Sequence, residues 1–121
     1  MTVAFWVVTV LLALAFLGAG SMKAFRSKKD LAAAGMAWTD DFSDGAVKGI
    51  GAVEILGALG LVLPAATGVA PVLSPVAAIG LAVTMVGAIV VHVRRKESAA
   101  PAIGLLVLSV AAAVLGFLHL G

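Results

Sequence analysis

The sequence predicts an all-α integral membrane protein, a four-helix bundle with a short interfacial helix between its first and second spans. Three observations carry this. Of 121 residues, 63% are hydrophobic and only 12% charged, with a mean hydropathy of +1.21, too little charge to solvate a water-soluble domain of this size. The apolar residues gather in four runs close to the ~20 residues that cross a bilayer. The basic residues avoid those runs, and seven of the eight lie in or beside two connections.

The first span, about 2–23, carries no charge from Thr2 to Met22 and ends at Lys23. No Lys or Arg precedes it, and it is longer than the apolar region of a signal peptide, so a retained span is expected. Trp6 suits one interface. The stretch Lys28 to Trp38, with Leu31, Ala32, Ala33, Ala34 and Met36, predicts a short helix lying at the opposite interface, with Trp38 at headgroup depth. The second span, about 46–63, has Ser43 or Asp44 as its cap and is interrupted by Lys48 and Glu54. Pro64, Pro71 and Pro75 punctuate the next turn. The third span, about 74–93, starts near Ser74 with Pro75 at its first helical position. The fourth, about 99–120, has Ser98 as cap and tolerates Pro101 in its first turn. These spans use most of residues 1–121, which predicts a single membrane domain.

Lys23, Arg26, Lys28 and Lys29 flank the first connection, and Arg94, Arg95 and Lys96 the third, whereas Pro64 to Pro71 is uncharged. Parity puts both basic connections on one side. The positive-inside rule makes that side cytoplasmic and both termini external. The Arg94–Lys96 run also suits anionic headgroups, so membrane lipids are expected partners. Nucleic acid is not, since these bases lie against a membrane without an aromatic-lined groove.

Lipid is as apolar as leucine, so helix association depends on close backbone approach. Small residues recur four apart at Gly45 and Gly49, at Gly80, Thr84 and Ala88, and at Ala112 and Gly116, and the second span adds Gly51, Gly57 and Gly60. They serve either contacts inside one bundle or the seam of a homo-oligomer.

Glu54 is the one acidic residue inside an apolar run. An ionised carboxylate at mid-bilayer costs about 2.5–3.5 kcal/mol on insertion scales, so it needs a partner, a proton or a wet cavity. It lies six residues beyond Lys48, about 9 Å deeper. Lys23 ends the first span and His92 the third on that same side, so the three converge if the first three spans are neighbours. His119 belongs to the other side. Two readings of the cluster stand: a buried pair that fixes helix register, or a protonatable group in a polar cavity. One Glu with one or two His falls short of the three or four ligands of a metal site, and helix capping and loop solvation account for Asp40, Asp41 and Asp44. The absence of cysteine excludes disulfide and thiol chemistry.

Three segments carry a resemblance: Gly18-Ala-Gly-Ser-Met-Lys23, Gly51-Ala-Val-Glu-Ile-Leu-Gly-Ala-Leu-Gly-Leu61 and His92-Val-Arg-Arg-Lys-Glu97. With four spans in this length, the chain resembles the DoxX-like family of small bacterial membrane proteins. The resemblance implies a compact four-helix bundle in the bacterial cytoplasmic membrane. It also implies that Lys23, Glu54, His92 and Arg94 form the recurrent polar pattern. The family takes its name from a subunit of a thiosulfate:quinone oxidoreductase, and some relatives associate with redox or assembly partners. The expected role is thus an accessory or anchor subunit of a membrane redox or envelope complex. The alternative is a protein that binds a quinone, lipid or small molecule through the buried glutamate. A proton-coupled exporter ranks third: small multidrug resistance exporters also use one membrane glutamate, but in their first span. No nucleophile with a partner base and no phosphate-binding loop occurs, so no independent catalytic activity is expected.

Overall fold

The computed structural model describes residues 2–120, and its elements are helical throughout. Helix α1 spans Thr2–Phe25 and α2 spans Lys28–Ala33. A 3-10 turn follows at Ala37–Asp41, then α3 (Asp44–Thr67), α4 (Leu73–Arg94) and α5 (Ala100–Leu120). The four long helices are each long and apolar enough to cross a membrane. They run up and down in chain order, with α1 against α3, α3 against α4, α4 against α5 and α5 closing on α1. One end of the bundle carries both basic connections; the other carries the proline-rich turn between α3 and α4.

Local chemistry sets the boundaries. The Ser43 hydroxyl accepts the Ala46 N–H at 3.1 Å and starts α3. Pro64 does not end that helix, contrary to the expectation from sequence. Its missing N–H releases only the Gly60 carbonyl, and α3 continues to Thr67. There Gly68 turns left-handed at φ 74° and donates its N–H to the Pro64 carbonyl at 3.0 Å. In α2, the Ser27 hydroxyl accepts the Asp30 N–H at 3.2 Å. The helix stops before Gly35, whose φ of 94° turns the chain. Leu31 is fully buried and packs this helix inward, and α2 lies against the 3-10 turn. The short interfacial helix expected over Lys28 to Trp38 is thus α2 plus the first residues of the 3-10 turn. Ser98 supports the start of α5, accepting the Ala100 N–H at 3.3 Å.

The core is narrow. Leu12 and Phe16 of α1 meet Leu61 of α3 and Leu81 and Met85 of α4, while α5 contributes Ala112 and Ala113. Val7, Leu14, Leu56, Val83, Val110 and Leu118 are exposed on the outside, the reverse of a soluble bundle and suited to lipid. Backbone proximity does the rest. A Cβ on Gly51 would lie 2.6 Å from both the Gly20 carbonyl oxygen and the Ala24 nitrogen, so α1 and α3 cross with their main chains in contact. Gly57 makes room for Leu81, Gly60 for Ala77 and Gly116 for Pro75. The Ser74 hydroxyl donates to the Leu61 carbonyl at 2.6 Å, which adds a buried polar stitch between α3 and α4 at the proline end.

Not all the small residues picked from the sequence act this way. Gly45, Gly49 and Gly80 have no neighbouring atom within 4 Å of where a Cβ would stand, so they face outward. Gly20, which belonged to no predicted stripe, is the true counterpart of Gly51.

Candidate functional site: a cavity at the basic end

The α1–α3 crossing brings Lys23 and Glu54 together. Gly20 and Gly51 let the two backbones approach, and one turn away the Lys23 ammonium donates to Glu54 Oε1 at 2.5 Å. Glu54 is 1% exposed and Lys23 7%, so the pair is screened from bulk water. The ammonium also lies 5.4 Å from the centroid of the Trp38 ring, within range of a favourable cation–π contact. Trp38 and Phe42 pack edge to face at 5.7 Å, and the Lys28 ammonium donates to the Phe42 carbonyl, which holds the two ends of the α1–α3 connection together.

Above this floor is a cavity of about 240 Å³ between α3 and α4. The two helices pinch at Gly57–Leu81 and Gly60–Ala77, nearer the proline end. Toward the basic end, Ile50 of α3 and Met85, Ala88 and Val91 of α4 enclose the space, with Trp38 and Phe42 beneath. Gly87 also lines it; that residue is exposed and has open space at its Cβ position, so the wall is thin on the lipid side. Thr84 contributes no free hydroxyl, because its Oγ1 donates to the Gly80 carbonyl at 3.0 Å. The polar side chains that remain on the wall are Lys23 and His92.

His92 is held by the end of its own helix. Helix α4 closes with Lys96 left-handed at φ 57°, the Lys96 N–H donating to the Val93 carbonyl and the Glu97 N–H to the His92 carbonyl, both at 3.1 Å. That paired closure is a Schellman motif with lysine where glycine is commoner. It returns Glu97 over His92, and His92 Nδ1 lies 2.7 Å from Glu97 Oε1. An ionised carboxylate only accepts, so Nδ1 carries the hydrogen and Nε2 is the ring nitrogen left for a ligand. The Trp38 and His92 rings meet at 6.4 Å and 74°.

Of the four residues selected from sequence, two line the cavity, Lys23 and His92, and Glu54 holds Lys23 from behind. Arg94 does not join them. It is exposed and makes no ion pair among the described residues, because it continues the outward stripe of Val83, Val86 and Val90. Its neighbour Arg95 takes the structural role: its Nη1 donates to Asp41 Oδ2 at 2.6 Å, and its Nε lies 3.5 Å from Glu97 Oε2. The hydrogen bond to Asp41 holds the Arg95 pKa above its ordinary value. Asp41, expected only to solvate a loop, thus fastens the segment under the cavity to the end of α4. Trp38, expected at headgroup depth, is half-buried as part of the cavity floor. Trp38, Phe42, Asp41, Arg95 and Glu97 are the participants missed from sequence. The signals were the aromatic character of Trp38 and the place of Arg95 and Glu97 in the segment His92-Val-Arg-Arg-Lys-Glu97.

At the proline end, His119 stacks on Phe5 with ring centroids 4.5 Å apart and planes 5° apart, far from this site.

A family model described as the DoxX-like family matches residues 7–114. No curated protein and no solved structure matches. The matched stretch takes in all but the first six and last seven residues, and with them both halves of the Lys23–Glu54 crossing and the His92 wall. On that match, with four helices fit to span a bilayer, the chain belongs to the DoxX-like family of membrane proteins.

Proposed function

We propose that this DoxX-like membrane protein holds a small amphipathic molecule, a quinone or a lipid, in the cavity at its basic end, as an accessory or anchor subunit of a membrane redox or envelope complex. The observation that carries this reading is the cavity itself: an apolar space of about 240 Å³ with Lys23 and His92 as its polar wall. Ligand sites combine an apolar lining with a few placed polar groups, and the volume suits a ring-sized headgroup with its tail lying out among lipid. The core favours binding over transport. Leu12, Phe16, Leu61 and Leu81, each at most 1% exposed, fill the interior between Glu54 and the proline end with large apolar side chains.

The two tryptophans supply the test. Trp38 floors the cavity and Trp6 sits near the other end of α1. Titration with a decyl-substituted benzoquinone is expected to quench Trp38 saturably in a Trp6→Phe protein. It should quench Trp6 only weakly and linearly in a Trp38→Phe protein. Equal, unsaturable quenching of both would remove the binding reading.

The orientation that accompanies this proposal puts the basic end, and so the cavity, on the cytoplasmic side, with both termini external. Because the chain has no cysteine, single cysteines at Ser98 and at Ala70 in intact cells give a direct readout. An impermeant maleimide is expected to label the Ala70 site and spare the Ser98 site; the opposite pattern reverses the orientation.

A further inference from the structure

The binding reading leaves open what kind of headgroup the cavity accepts, and the distribution of charge around it bears on that choice. Three basic side chains around the cavity each have a carboxylate, and a fourth, Lys28, spends its ammonium on the Phe42 carbonyl. Lys23 is paired with Glu54 at 2.5 Å, His92 with Glu97 at 2.7 Å, and Arg95 behind them with Asp41 at 2.6 Å. With the imidazole neutral, three cations (Lys23, Lys28 and Arg95) face three carboxylates (Glu54, Glu97 and Asp41), so the charges balance. Arg26, Lys29, Arg94 and Lys96, by contrast, are exposed and make no ion pair among the described residues. With the imidazole neutral, surplus positive charge is therefore confined to the outer surface of the basic end, where anionic phospholipid headgroups lie.

The donors inside are not exhausted. An ammonium has three N–H groups and accepts nothing; Lys23 spends one on Glu54 and turns toward the face of Trp38. Its remaining hydrogens need acceptors, since an unmet donor in a dry site costs free energy. An anionic head would satisfy them, but it would lie beside the Glu54 and Glu97 carboxylates without excess positive charge in return. A cationic head would meet the Lys23 ammonium. A carbonyl oxygen meets neither penalty.

Resting on the binding reading above, we infer that the cavity selects an uncharged, hydrogen-bond-accepting headgroup such as a ketone or quinone carbonyl on an apolar tail, and that Glu54 sets this selectivity by neutralising Lys23.

Competition tests it on the Trp6→Phe protein, with Trp38 quenched by the decyl benzoquinone. Three competitors with tails of nine or ten carbons are compared: a decyl methyl ketone, decanoate and decyltrimethylammonium. The ketone is expected to restore fluorescence at a concentration at least about tenfold below that of either ion, since a like charge a few ångströms away is worth more than that in a partly dry site. Decanoate or the ammonium competing as well as the ketone overturns the inference while leaving a binding site in place. Absence of saturable quenching by the quinone overturns the binding reading and this inference with it. In Glu54→Gln the ammonium loses its counter-charge, so decanoate is expected to gain at least about tenfold relative to the ketone. An unchanged ranking in folded Glu54→Gln protein overturns the role given to Glu54. If that variant does not fold, the competition series on the Glu54 protein decides alone.

Discussion

Lys23→Met is expected to destabilise the bundle by about 3–5 kcal/mol, the usual cost of removing one partner from a buried ion pair. The Glu54 carboxylate, 1% exposed and ten residues into α3, has no second cation within ion-pair distance among the described residues. Glu54→Gln is expected to cost distinctly less. Lys23 occupies the last turn of α1, so without its partner it can extend its ammonium toward the headgroups while its aliphatic stem stays buried. Glu54 is shorter and deeper and has no such exit. The double variant Lys23→Met/Glu54→Met is expected to recover most of the loss, because two apolar side chains leave no uncompensated charge. Unfolding of the four proteins in mixed micelles gives the full cycle. Equal losses in both single variants, with no coupling between them, would contradict the buried-pair description.

The second large effect comes from a single methyl group. Gly51→Ala is expected to cost about 1–3 kcal/mol or more, the range for overpacking a tight contact. The added Cβ would sit 2.6 Å from two main-chain atoms of α1 and 2.9 Å from Lys23 Cβ. Main chain cannot rotate away as a side chain can, so the helices must part, and the Lys23–Glu54 contact one turn away lengthens with them. Gly49→Ala, two residues earlier on the same helix, serves as the control. Nothing stands within 4 Å of its Cβ position, so it should be neutral or gain up to about 1 kcal/mol from helix propensity. Thermal unfolding of the pair in detergent checks both, and matching behaviour at the two positions would refute the crossing at Gly20 and Gly51.

These two experiments touch features of different legibility. The need for a partner at Glu54 was readable from one carboxylate in an apolar run, and Lys23 was among its few candidates. Which glycine mattered was not readable. Gly45, Gly49, Gly51, Gly57 and Gly60 lie on one helix, and spacing alone favoured Gly45 with Gly49, which face outward. A helix surface turns about 100° per residue, so the buried set depends on where the neighbouring helices stand. The same reason separates Arg94 from Arg95. Both belong to one basic run, yet Arg94 continues the outward stripe of α4. Arg95 begins the left-handed closure that swings it toward Asp41, 54 residues earlier in the chain. The Schellman closure itself was hidden because lysine, not glycine, occupies its left-handed position.

By itself the sequence determined the four-helix class, the number of membrane-competent helices and the short element between the first two. It also brought Lys23, Glu54 and His92 to one end. All of these follow from hydropathy, chain length and parity, which are properties of a linear string read against a slab of fixed thickness. The tertiary structure alone decided that α3 and α4 pinch at one end and enclose a cavity at the other. It also decided that Trp38 and Phe42 form the cavity floor, and that Glu97 and Asp41 engage the cations around it. Those outcomes depend on the rotation of each helix about its axis and on the path of the loops. Lipid on one side and a narrow core on the other leave both to be settled by a few close backbone contacts and buried charge pairs.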